Sequence, residues 1–303
     1  MITRDIQAFL RLANSLAPDF GPPTARAAFL VAPDGFTRAE QSARDNLYMA
    51  DAGEYDADRA SEEHRELHRA LAADLPTICF AGNPDTPDAV YPNNVFATVP
   101  GRTIIGRMRH PVRQREALRA DIRGFFRDTL GYGEIDLSTQ EHPCELTGAV
   151  VIDRARGLGF CGLSGRCDEE GAVLVHEALG LRATLIFDLA SDEYHTNLVL
   201  AVLAGRAALI CPDGFAQPEV VDAIAALYAP HGIVLSPAEH AAFVGNAISL
   251  SPHKVWMSTL AHRSLAPTTL AALESAGFEV GSVGLAAIEA GGGSLRCCVG
   301  EIF

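Results

Sequence analysis

The chain has 303 residues, of which 48% are hydrophobic and 20% charged, and its formal net charge is -14. This length and apolar content allow a large hydrophobic core and exclude an intrinsically disordered chain. The acidic balance offers no basic footprint for DNA or RNA, and no apolar run approaches the roughly 18 residues of a membrane span. We therefore expect one domain over residues 1–303 that binds neither nucleic acid nor membrane.

The cysteines give an expectation about the redox environment. Seven of them are scattered along the chain, at positions 79, 144, 161, 167, 211, 297 and 298. An odd, scattered set in a long chain argues against a disulfide framework. The first residues carry Asp5 and lack the basic head and continuous apolar stretch of a signal peptide. We expect a reducing, cytoplasmic protein, and the composition is compatible with a homo-oligomer without requiring one.

The first half of the chain alternates helical and strand patterns. An N-terminal extension of residues 1–26 contains a predicted helix over 3–16, which the prolines at 18, 22 and 23 end. The spacing of apolar residues predicts strands at 28–32, 76–81, 89–99 and 102–108, and helices at 61–75 and 111–131. The helix over 111–131 has the clearest amphipathic pattern, with Leu118, Ile122, Phe125, Phe126 and Leu130 on one face.

The second half repeats the same order of elements. Strands are predicted at 148–154, 158–163 and 183–190, with two more within 198–212, and helices at 169–180, 219–232 and 266–276. Further strands follow near 247–261 and 278–285 and in the terminal RCCVGEIF. This order gives four or five strand–strand–helix–strand units of about 50–60 residues each. The pattern is typical of an α/β protein, either a closed repeat architecture or a layered domain.

The C-terminal stretch GGGSLRCCVGEIF raises the question of what its two adjacent cysteines do. Glycines allow a tight turn and the close approach of a ligand, and Arg296 offers Cys297 the cationic neighbour that favours a thiolate. The alternative is a terminal strand on which Cys297 and Cys298 alternate between the core and the opposite face. A zinc site is disfavoured because no other Cys or His stands nearby at ligand spacing.

Two polar residues before apolar strands have the chemistry of a general base and its partner. His195 precedes Thr196 and Asn197 at the start of an apolar run, where a histidine is suited to proton transfer. The alternative is a surface histidine that caps a strand. Glu145 stands directly before the apolar residues 146–152, either as a solvated carboxylate or as a group that faces a pocket.

Two further stretches contain candidate binding residues. Asn93 and Asn94 follow Pro92 within a strand-like pattern, and a proline there indicates an edge or a bulge that redirects side chains. The alternative is a plain turn rich in asparagine. Asp88 lies just before these two asparagines. Arg166 has the fork geometry to bind a carboxylate, or it is a surface arginine facing Asp168 or Glu169.

Taken in order, PDAVYPNN, ELTGAVVIDR, LSGR, YHTN, GNAISL and GGGSLRC resemble the motifs of the guanidine-modifying (pentein) superfamily, from about residue 28 to the end. This superfamily includes arginine deiminase, dimethylarginine dimethylaminohydrolase, amidinotransferases and succinylarginine dihydrolase. The sequence is most similar to the branch of citrulline-utilisation hydrolases and arginine dihydrolases. The resemblance implies a five-bladed α/β propeller of ββαβ units around a central site.

The resemblance also implies roles for named residues. Cys297 is the expected nucleophile, His195 the general acid and base, and Glu145 the carboxylate that orients the substrate or the histidine. Neither a metal nor another cofactor is expected. Arg166 matches the position that binds a substrate carboxylate, Asp88 faces an amino or guanidinium group, and Asn93 and Asn246 are further candidate binding residues.

The chain departs from the deiminase pattern at two positions. Asn94 and Asn197 stand where deiminases carry carboxylates that hold a guanidinium cation. An amide both donates and accepts hydrogen bonds, so it suits a neutral ureido group. Losing a charged hydrogen bond weakens guanidinium binding by about 1.5–3 kcal/mol. We therefore expect a hydrolase that acts on citrulline, or on arginine by way of citrulline, and releases ornithine, ammonia and carbon dioxide.

Four alternatives stay open at this point. One is an arginine deiminase or dimethylarginine hydrolase, which stops at citrulline, and another is an amidinotransferase, which needs an amine acceptor. A non-catalytic binder with the same fold would show no unusually reactive thiol. A redox protein that uses Cys297 and Cys298 would form a reversible disulfide and tolerate the loss of His195.

Overall fold

The computed structural model describes residues 1–303 as an α/β fold with five separate sheets, none of which closes into a barrel. The strands are β1 (Ile2–Thr3), β2 (Ala27–Val31), β3 (Thr77–Phe80), β4 (Phe96–Val99), β5 (Arg102–Ile105), β6 (Gly133–Asp136), β7 (Val150–Asp153), β8 (Leu158–Leu163), β9 (Ala183–Asp188), β10 (Leu200–Leu203), β11 (Ala207–Ile210), β12 (Gly232–Val234), β13 (Ile248–Ser251), β14 (Lys254–Ser258), β15 (Glu279–Val283) and β16 (Gly300–Ile302). None of the helices combines the length and the apolar character needed to cross a bilayer.

The five sheets share one topology. Their strand orders are β16-β2-β3, β4-β5-β6, β7-β8-β9 with β1 added at the β9 edge, β10-β11-β12 and β13-β14-β15. In each sheet the first two of these strands are antiparallel and the third is parallel to the second. A parallel pair needs a crossover connection, and helical segments supply it in every unit. The sequence predicted four or five such units, and the structure has five.

The longer helices are Ile6–Ser15, Ala57–Ala72, Glu169–Leu179, Pro218–Leu227 and Pro267–Ser275. The shorter α-helical turns are Pro111–Gln114, Ala120–Gly124, Leu146–Ala149, Thr196–Val199, Pro237–Ala241, Thr259–Ser264 and Ala286–Glu289. The 3-10 turns are Ser42–Arg44, Ala52–Glu54, Pro92–Asn94, Glu116–Leu118, Pro212–Gly214 and Leu295–Cys298, and a π-helical turn covers Phe125–Thr129.

The end of the described chain is fixed by pairing with its beginning. β16 runs antiparallel to β2, with Gly300 opposite Phe29 and Ile302 opposite Ala27. β16 is also joined to the next sheet, because Thr98 Oγ1 donates to the carbonyl of Glu301 over 2.9 Å. Chain ends fray unless they are held in this way. The thiols before β16 therefore lie on ordered backbone.

A predicted long helix over 111–131 is wrong, because the structure divides this segment into short helical turns. The break falls at Arg119, which is extended with ψ 94°. Arg113 and Glu116 form a buried ion pair at 2.9 Å, and Leu118, predicted to face the core, is 72% exposed. Burial of this polar pair overrides the apolar periodicity on which the prediction rested.

Two other segments also differ from the predictions. The helix expected over 219–232 ends at Leu227, and Gly232 begins β12 instead of ending the helix. Pro230 explains this end, since it cannot donate the backbone hydrogen bond of a continuing helix. In the predicted strand 89–99, Pro92–Asn94 form a 3-10 turn, and only Phe96–Val99 are paired. The structure therefore has a turn at Pro92, as one of the two alternatives predicted, and no strand bulge.

Candidate active site

Short helical turns before the first strand of several sheets bring distant residues together. They are Pro92–Asn94 before β4, Leu146–Ala149 before β7, Thr196–Val199 before β10 and Leu295–Cys298 before β16. Hydrogen bonds join each unit to the next: Thr147 Oγ1 donates to the Asn93 carbonyl over 3.0 Å, and Asn246 Nδ2, just before β13, donates to the Asn197 carbonyl over 2.8 Å. These partners are 54 and 49 residues apart, which is the length of one unit.

Glu145 and His195 occupy matching positions, each directly before one of these turns. Nε2 of His195 lies 2.8 Å from Oε2 of Glu145, and both side chains are completely buried. The alternative of a surface histidine is therefore wrong. Glu145 was predicted to lie before a strand, and a single helical turn separates it from β7.

A cation holds Glu145 ionised. Burial would raise the pKa of this carboxyl, but the nearby charge of Arg166 and the hydrogen bond from His195 hold the pKa well below its usual range. Arg166 Nη1 lies 3.2 Å from Oε2 of Glu145, and the backbone amide of Arg109 donates to Oε1 over 3.0 Å. A carboxylate with these donors is both charged and fixed in orientation.

The ionised Glu145 determines which nitrogen of His195 carries the proton. Burial is the largest effect on His195, and it lowers the pKa despite the nearby carboxylate. The neutral ring therefore places its proton on Nε2, which donates to Glu145, and we assign this tautomer from the partner. Nδ1 is buried without a hydrogen-bond partner. His195 thus presents an unshared pair at Nδ1, as a general base requires.

Two amides surround the Cys297 thiol. Asn246 Nδ2 lies 3.3 Å from the sulfur, and Asn197 Nδ2 lies 3.7 Å from it. Asn246 is fixed in turn, because its Oδ1 accepts from the Arg296 backbone amide over 3.0 Å. Burial raises the pKa of the Cys297 thiol, although the Asn246 donor opposes this. In the empty site the thiol is therefore protonated, and a cation placed beside it would favour the thiolate.

The glycine run before Cys297 allows a close approach of other groups. A Cβ on Gly291 or Gly293 would contact the Tyr91 ring, and one on Gly292 would contact the Asn46 amide. Gly292 also has φ +76°, a conformation that glycine adopts without strain. Cys297 and Cys298 lie in a 3-10 turn rather than alternating on a strand, so the strand alternative is wrong.

A cavity lies against Cys297 and contains hydrogen-bonding groups without partners. Its lining includes Asp88, Asn94, Tyr91, Tyr194, Arg113, Arg166 and the glycines at 291 and 293. Oδ1 of Asp88 and Oδ1 of Asn94 are buried and accept no hydrogen bond. Burial raises the pKa of Asp88 in spite of Arg113. Buried polar groups are normally paired, so this set is arranged for a polar ligand.

Some of the predicted binding residues line the cavity at Cys297, and others do not. Asp88, Asn94 and Arg166 line the cavity with Cys297, whereas Asn197 contacts the thiol from outside this lining. Asn246, which was predicted only as a further candidate binding residue, is the amide closest to the sulfur of Cys297. Both amide atoms of Asn93 are buried without partners, and its side chain does not line the cavity.

Sequence reasoning missed the segment that covers the cavity. Residues Ser42, Asn46 and Met49 line it, and Ser42 Oγ donates to Asp88 over 2.6 Å. This segment has no periodic pattern, so nothing in the sequence placed it at the site. Tyr194 was also missed, although its position beside His195 was a signal.

Ligand-type side chains converge at one place, where His142, Asp168 and Glu170 lie together. None of the three lines the cavity at Cys297. Asp168 already caps the helix Glu169–Leu179 by accepting from the Gly171 amide over 2.7 Å, and it lies 3.0 Å from His142 Nδ1. The cap accounts for this carboxylate without a metal ion.

Gly148 lies where two site residues meet, and its replacement is our first prediction. A Cβ there would lie 2.8 Å from Cε1 of His195 and would also collide with Oδ1 of Asn94. We expect Gly148→Ala to displace the imidazole and lower kcat/KM by about 100-fold, since misplaced catalytic groups cost this much. Gly53→Ala, at an exposed position with no atom within 4 Å, is the matched control. An unchanged kcat/KM in Gly148→Ala would contradict the placement of His195.

A family model described as N,N dimethylarginine dimethylhydrolase, eukaryotic, matches residues 32–303. The N(G),N(G)-dimethylarginine dimethylaminohydrolase of Mycobacterium tuberculosis is 29% identical over 216 residues. That match covers 71% of this chain and 66% of the relative, so it spans just under two thirds of the relative's length.

Similar solved structures include cyanobacterial enzymes. The N-terminal domain of ArgZ, an arginine dihydrolase from the ornithine-ammonia cycle in cyanobacteria, bound to product, has a TM-score of 0.80 at 20% identity, over 91% of this chain and 97% of that chain. Unliganded AgrE has a TM-score of 0.78 at 20% identity, over 91% and 39%. A dimethylarginine dimethylaminohydrolase adduct with S-methyl-L-thiocitrulline has a TM-score of 0.68 at 18% identity, over 92% and 100%. At these identities the likeness shows a shared fold.

Proposed function

The chain belongs to the N,N-dimethylarginine dimethylhydrolase family, and we propose that it hydrolyses the guanidino or ureido carbon of arginine- or citrulline-like substrates through a covalent bond to Cys297. The observation that carries the proposal is the cavity at Cys297, in which buried oxygens of Asp88 and Asn94 lack partners. The buried pair of Glu145 and His195 stands beside it, since His195 and Asn94 both approach Gly148. A nucleophile, a base and an orienting carboxylate are the parts that this reaction needs.

The first step is attack of the Cys297 sulfur on the planar substrate carbon. The thiol is protonated in the empty site, because burial raises its pKa. A guanidinium cation in the cavity favours the thiolate, so the thiol passes its proton to Nδ1 of His195 and the sulfur adds to the carbon. The carbon–nitrogen bond breaks, ammonia leaves with a proton from His195, and a thiouronium remains on the sulfur.

The second step is hydrolysis of this intermediate. His195, now neutral, accepts a proton from water at Nδ1 while its Nε2–H stays on Glu145. The hydroxide adds to the carbon, the carbon–sulfur bond breaks, and citrulline is released with the thiol regenerated. Glu145 stabilises the imidazolium that forms transiently within each step, which is the usual role of a buried carboxylate beside a catalytic histidine.

We favour a second round on the ureido carbon, which gives ornithine, ammonia and carbon dioxide. Two waters are consumed per arginine, and two ammonia molecules and one carbon dioxide are released. The Asn94 side chain supports a second round. It lines the cavity, and its amide can hydrogen bond to a neutral ureido group, whereas a carboxylate at the same place would favour a cation. Burial raises the pKa of Asp88, and a protonated Asp88 would donate a hydrogen bond to a ureido oxygen. Asn197 lies behind the thiol, so we assign it to positioning the sulfur.

A hydrolase that stops at citrulline is the second candidate. The family model and the Mycobacterium tuberculosis relative both carry the dimethylarginine name, and they favour loss of dimethylamine from dimethylarginine. The two candidates share every step up to the first hydrolysis. They differ in whether citrulline is released or attacked again.

We also propose that the five sheets are the blades of a propeller around this site. The shared topology of the sheets supports it, as do the hydrogen bonds that join one unit to the next. Residues 1–303 would then form one catalytic domain. In the predicted extension, β1 pairs with β9, while the helix Ile6–Ser15 buries Phe9 and Ala13 in the largest apolar cluster.

Product analysis tests the proposed reaction. Purified protein is incubated separately with arginine, citrulline and dimethylarginine, and ornithine, citrulline and ammonia are quantified. We expect ornithine from arginine and from citrulline. Citrulline as the sole carbon product from arginine or dimethylarginine would make the second candidate correct. No turnover of any of the three would contradict the proposed function.

Asn94→Asp separates the two rounds of hydrolysis and is our second prediction. The added carboxylate favours a guanidinium cation over a neutral ureido group through charge-assisted hydrogen bonds. We expect ornithine release to fall by about tenfold or more while citrulline formation from arginine is retained or raised. Product ratios at equal substrate concentration measure this. An unchanged ratio would show that the Asn94 amide does not select the ureido group.

A further inference from the structure

Loop 42–49, the segment from Ser42 to Met49, lines the cavity. Its end is anchored by apolar contacts, because Tyr48 packs against the rings of Tyr194 and Phe243 and Met49 is buried. Leu47, in contrast, is 72% exposed. A stretch with few buried apolar contacts moves at a low free-energy cost, and residues 43–47 form such a stretch. The loop is therefore able to lift at residues 43–47 when its polar contacts are replaced.

The loop places one carboxylate among three basic side chains. Oδ1 of Asp45 lies 2.6 Å from Nη2 of Arg166 and 2.9 Å from Nε2 of His110, and Oδ2 lies 3.5 Å from Nε of Arg109. Arg109 lies directly over Gly165, where any side chain would collide with its guanidinium. We call Arg109, His110 and Arg166 the basic cluster. Its donors converge on a single carboxylate, and the chain itself provides that carboxylate.

Arg166 links the basic cluster to the reacting end of the site. Its Nη1 contacts Glu145, while its Nε and Nη2 contact Asp45 on the other edge of the guanidinium. Arg166 also lines the cavity that contains Cys297. A ligand with its reactive carbon at Cys297 and a carboxylate at its other end would direct that carboxylate towards the edge of Arg166 that Asp45 now occupies.

We propose that Asp45 is a specificity-determining residue that occupies the basic cluster in the closed protein and is displaced by the carboxylate of an amino-acid substrate. This rests on the proposed function for the nature of the substrate. Two carboxylates do not share one cluster without strong repulsion, so binding the substrate requires loop 42–49 to lift. The measured affinity for a carboxylate-bearing ligand is therefore the affinity of the open form multiplied by the fraction of molecules whose loop is open.

The proposal distinguishes two classes of guanidino compound. Arginine and citrulline carry a carboxylate that competes with Asp45. Agmatine, which is arginine without its carboxylate, has nothing to place in the basic cluster and leaves Asp45 where it is. Removing the charge at Asp45 is therefore expected to change the binding of the first class and not that of the second.

The test uses L-norvaline, which has the amino and carboxylate groups but no carbon that the enzyme attacks. Its affinity is measured by calorimetry for the wild type, Asp45→Asn and Asp51→Asn. Asp51 is the matched control because it carries the same charge on a nearby exposed segment, 95% exposed and 3.9 Å from Arg38. We expect Asp45→Asn to bind norvaline about tenfold more tightly than the wild type and Asp51→Asn do. This factor corresponds to a wild type whose loop is open in about 10% of molecules.

An equal or weaker affinity in Asp45→Asn would overturn the proposal, since Asp45 would then be part of the binding site and not a competitor. Tryptic cleavage after Arg44, an exposed residue of the loop, gives a second measurement on the wild type. Saturating norvaline is expected to accelerate this cleavage by lifting the loop. Slower cleavage would mean that the loop closes over a bound carboxylate, which also overturns the proposal.

Turnover separates this proposal from the proposed function. In Asp45→Asn we expect a lower KM for arginine and an unchanged KM for agmatine. Tighter norvaline binding without turnover of any guanidino or ureido compound would support the role of Asp45 and contradict the proposed reaction. Normal turnover with unchanged norvaline binding would support the proposed reaction and contradict the role of Asp45.

Discussion

Cys297→Ser is expected to abolish turnover of arginine, citrulline and dimethylarginine, with kcat lowered by more than about 1000-fold. A serine hydroxyl in the same buried place is a far weaker nucleophile, because a hydroxyl ionises far less readily than a thiol, even beside a guanidinium cation. The binding of substrate should persist, because the variant keeps Asp88, Asn94 and the rest of the cavity. Product formation and calorimetric binding, measured on the same preparation, check both parts.

Cys298→Ser is the matched control for this variant. Cys298 is the next residue in the same 3-10 turn, it is fully buried, and its Sγ lies 3.5 Å from the Ser294 carbonyl. A serine there keeps a hydrogen bond to that carbonyl, so we expect activity within a few-fold of the wild type. If both serine variants lost activity equally, a thiol pair would be the better interpretation, and the single-nucleophile mechanism would be wrong.

Glu145→Gln is expected to have the second-largest effect, because it acts on both activity and stability. Removing one partner of a buried ion pair costs up to about 3–5 kcal/mol, and here Arg166 loses its buried carboxylate and keeps only Asp45. The amide no longer fixes the proton of His195 on Nε2, and we expect kcat/KM to fall by more than about 100-fold. Denaturant unfolding and initial rates measure the two effects.

The stability of the wild type should depend on Glu145 through pH. The pKa of this carboxyl is lower in the folded protein than in the unfolded chain, so its contribution to stability is complete at neutral pH. It is lost progressively as the pH falls below about 5, because folding then requires a proton to be released. His195, whose pKa is also lowered by burial, acts in the same direction. Glu145→Gln should show a smaller loss of stability over the same acidic range.

Glu239→Gln controls for the loss of any buried carboxylate. Glu239 is 2% exposed and accepts hydrogen bonds from the backbone amides of Ser236 and Ala266, without contact to Cys297 or His195. We expect it to lower stability and leave kcat/KM unchanged. If Glu239→Gln reduced kcat/KM as much as Glu145→Gln, the effect of Glu145 would be one of stability alone.

The local pattern of the sequence was sufficient for the order of elements in this fold. Strand and helix periods and glycine positions predicted the recurring strand–strand–helix–strand order, and the structure has five such units. The pattern failed at 111–131 because a buried ion pair between Arg113 and Glu116 interrupts a segment that is apolar at helical spacing. A period of apolar residues contains no information about which charges will be buried together.

The roles proposed for Cys297, His195, Glu145 and Asn94 likewise come from residue types and from resemblance. Only the tertiary structure decided that Asn246 lies nearest the thiol, that Asn197 stands outside the cavity, and that loop 42–49 places Asp45 on Arg166. These contacts join residues between 51 and 121 positions apart. Such contacts depend on how the five sheets pack together, and no local rule of the chain specifies that packing.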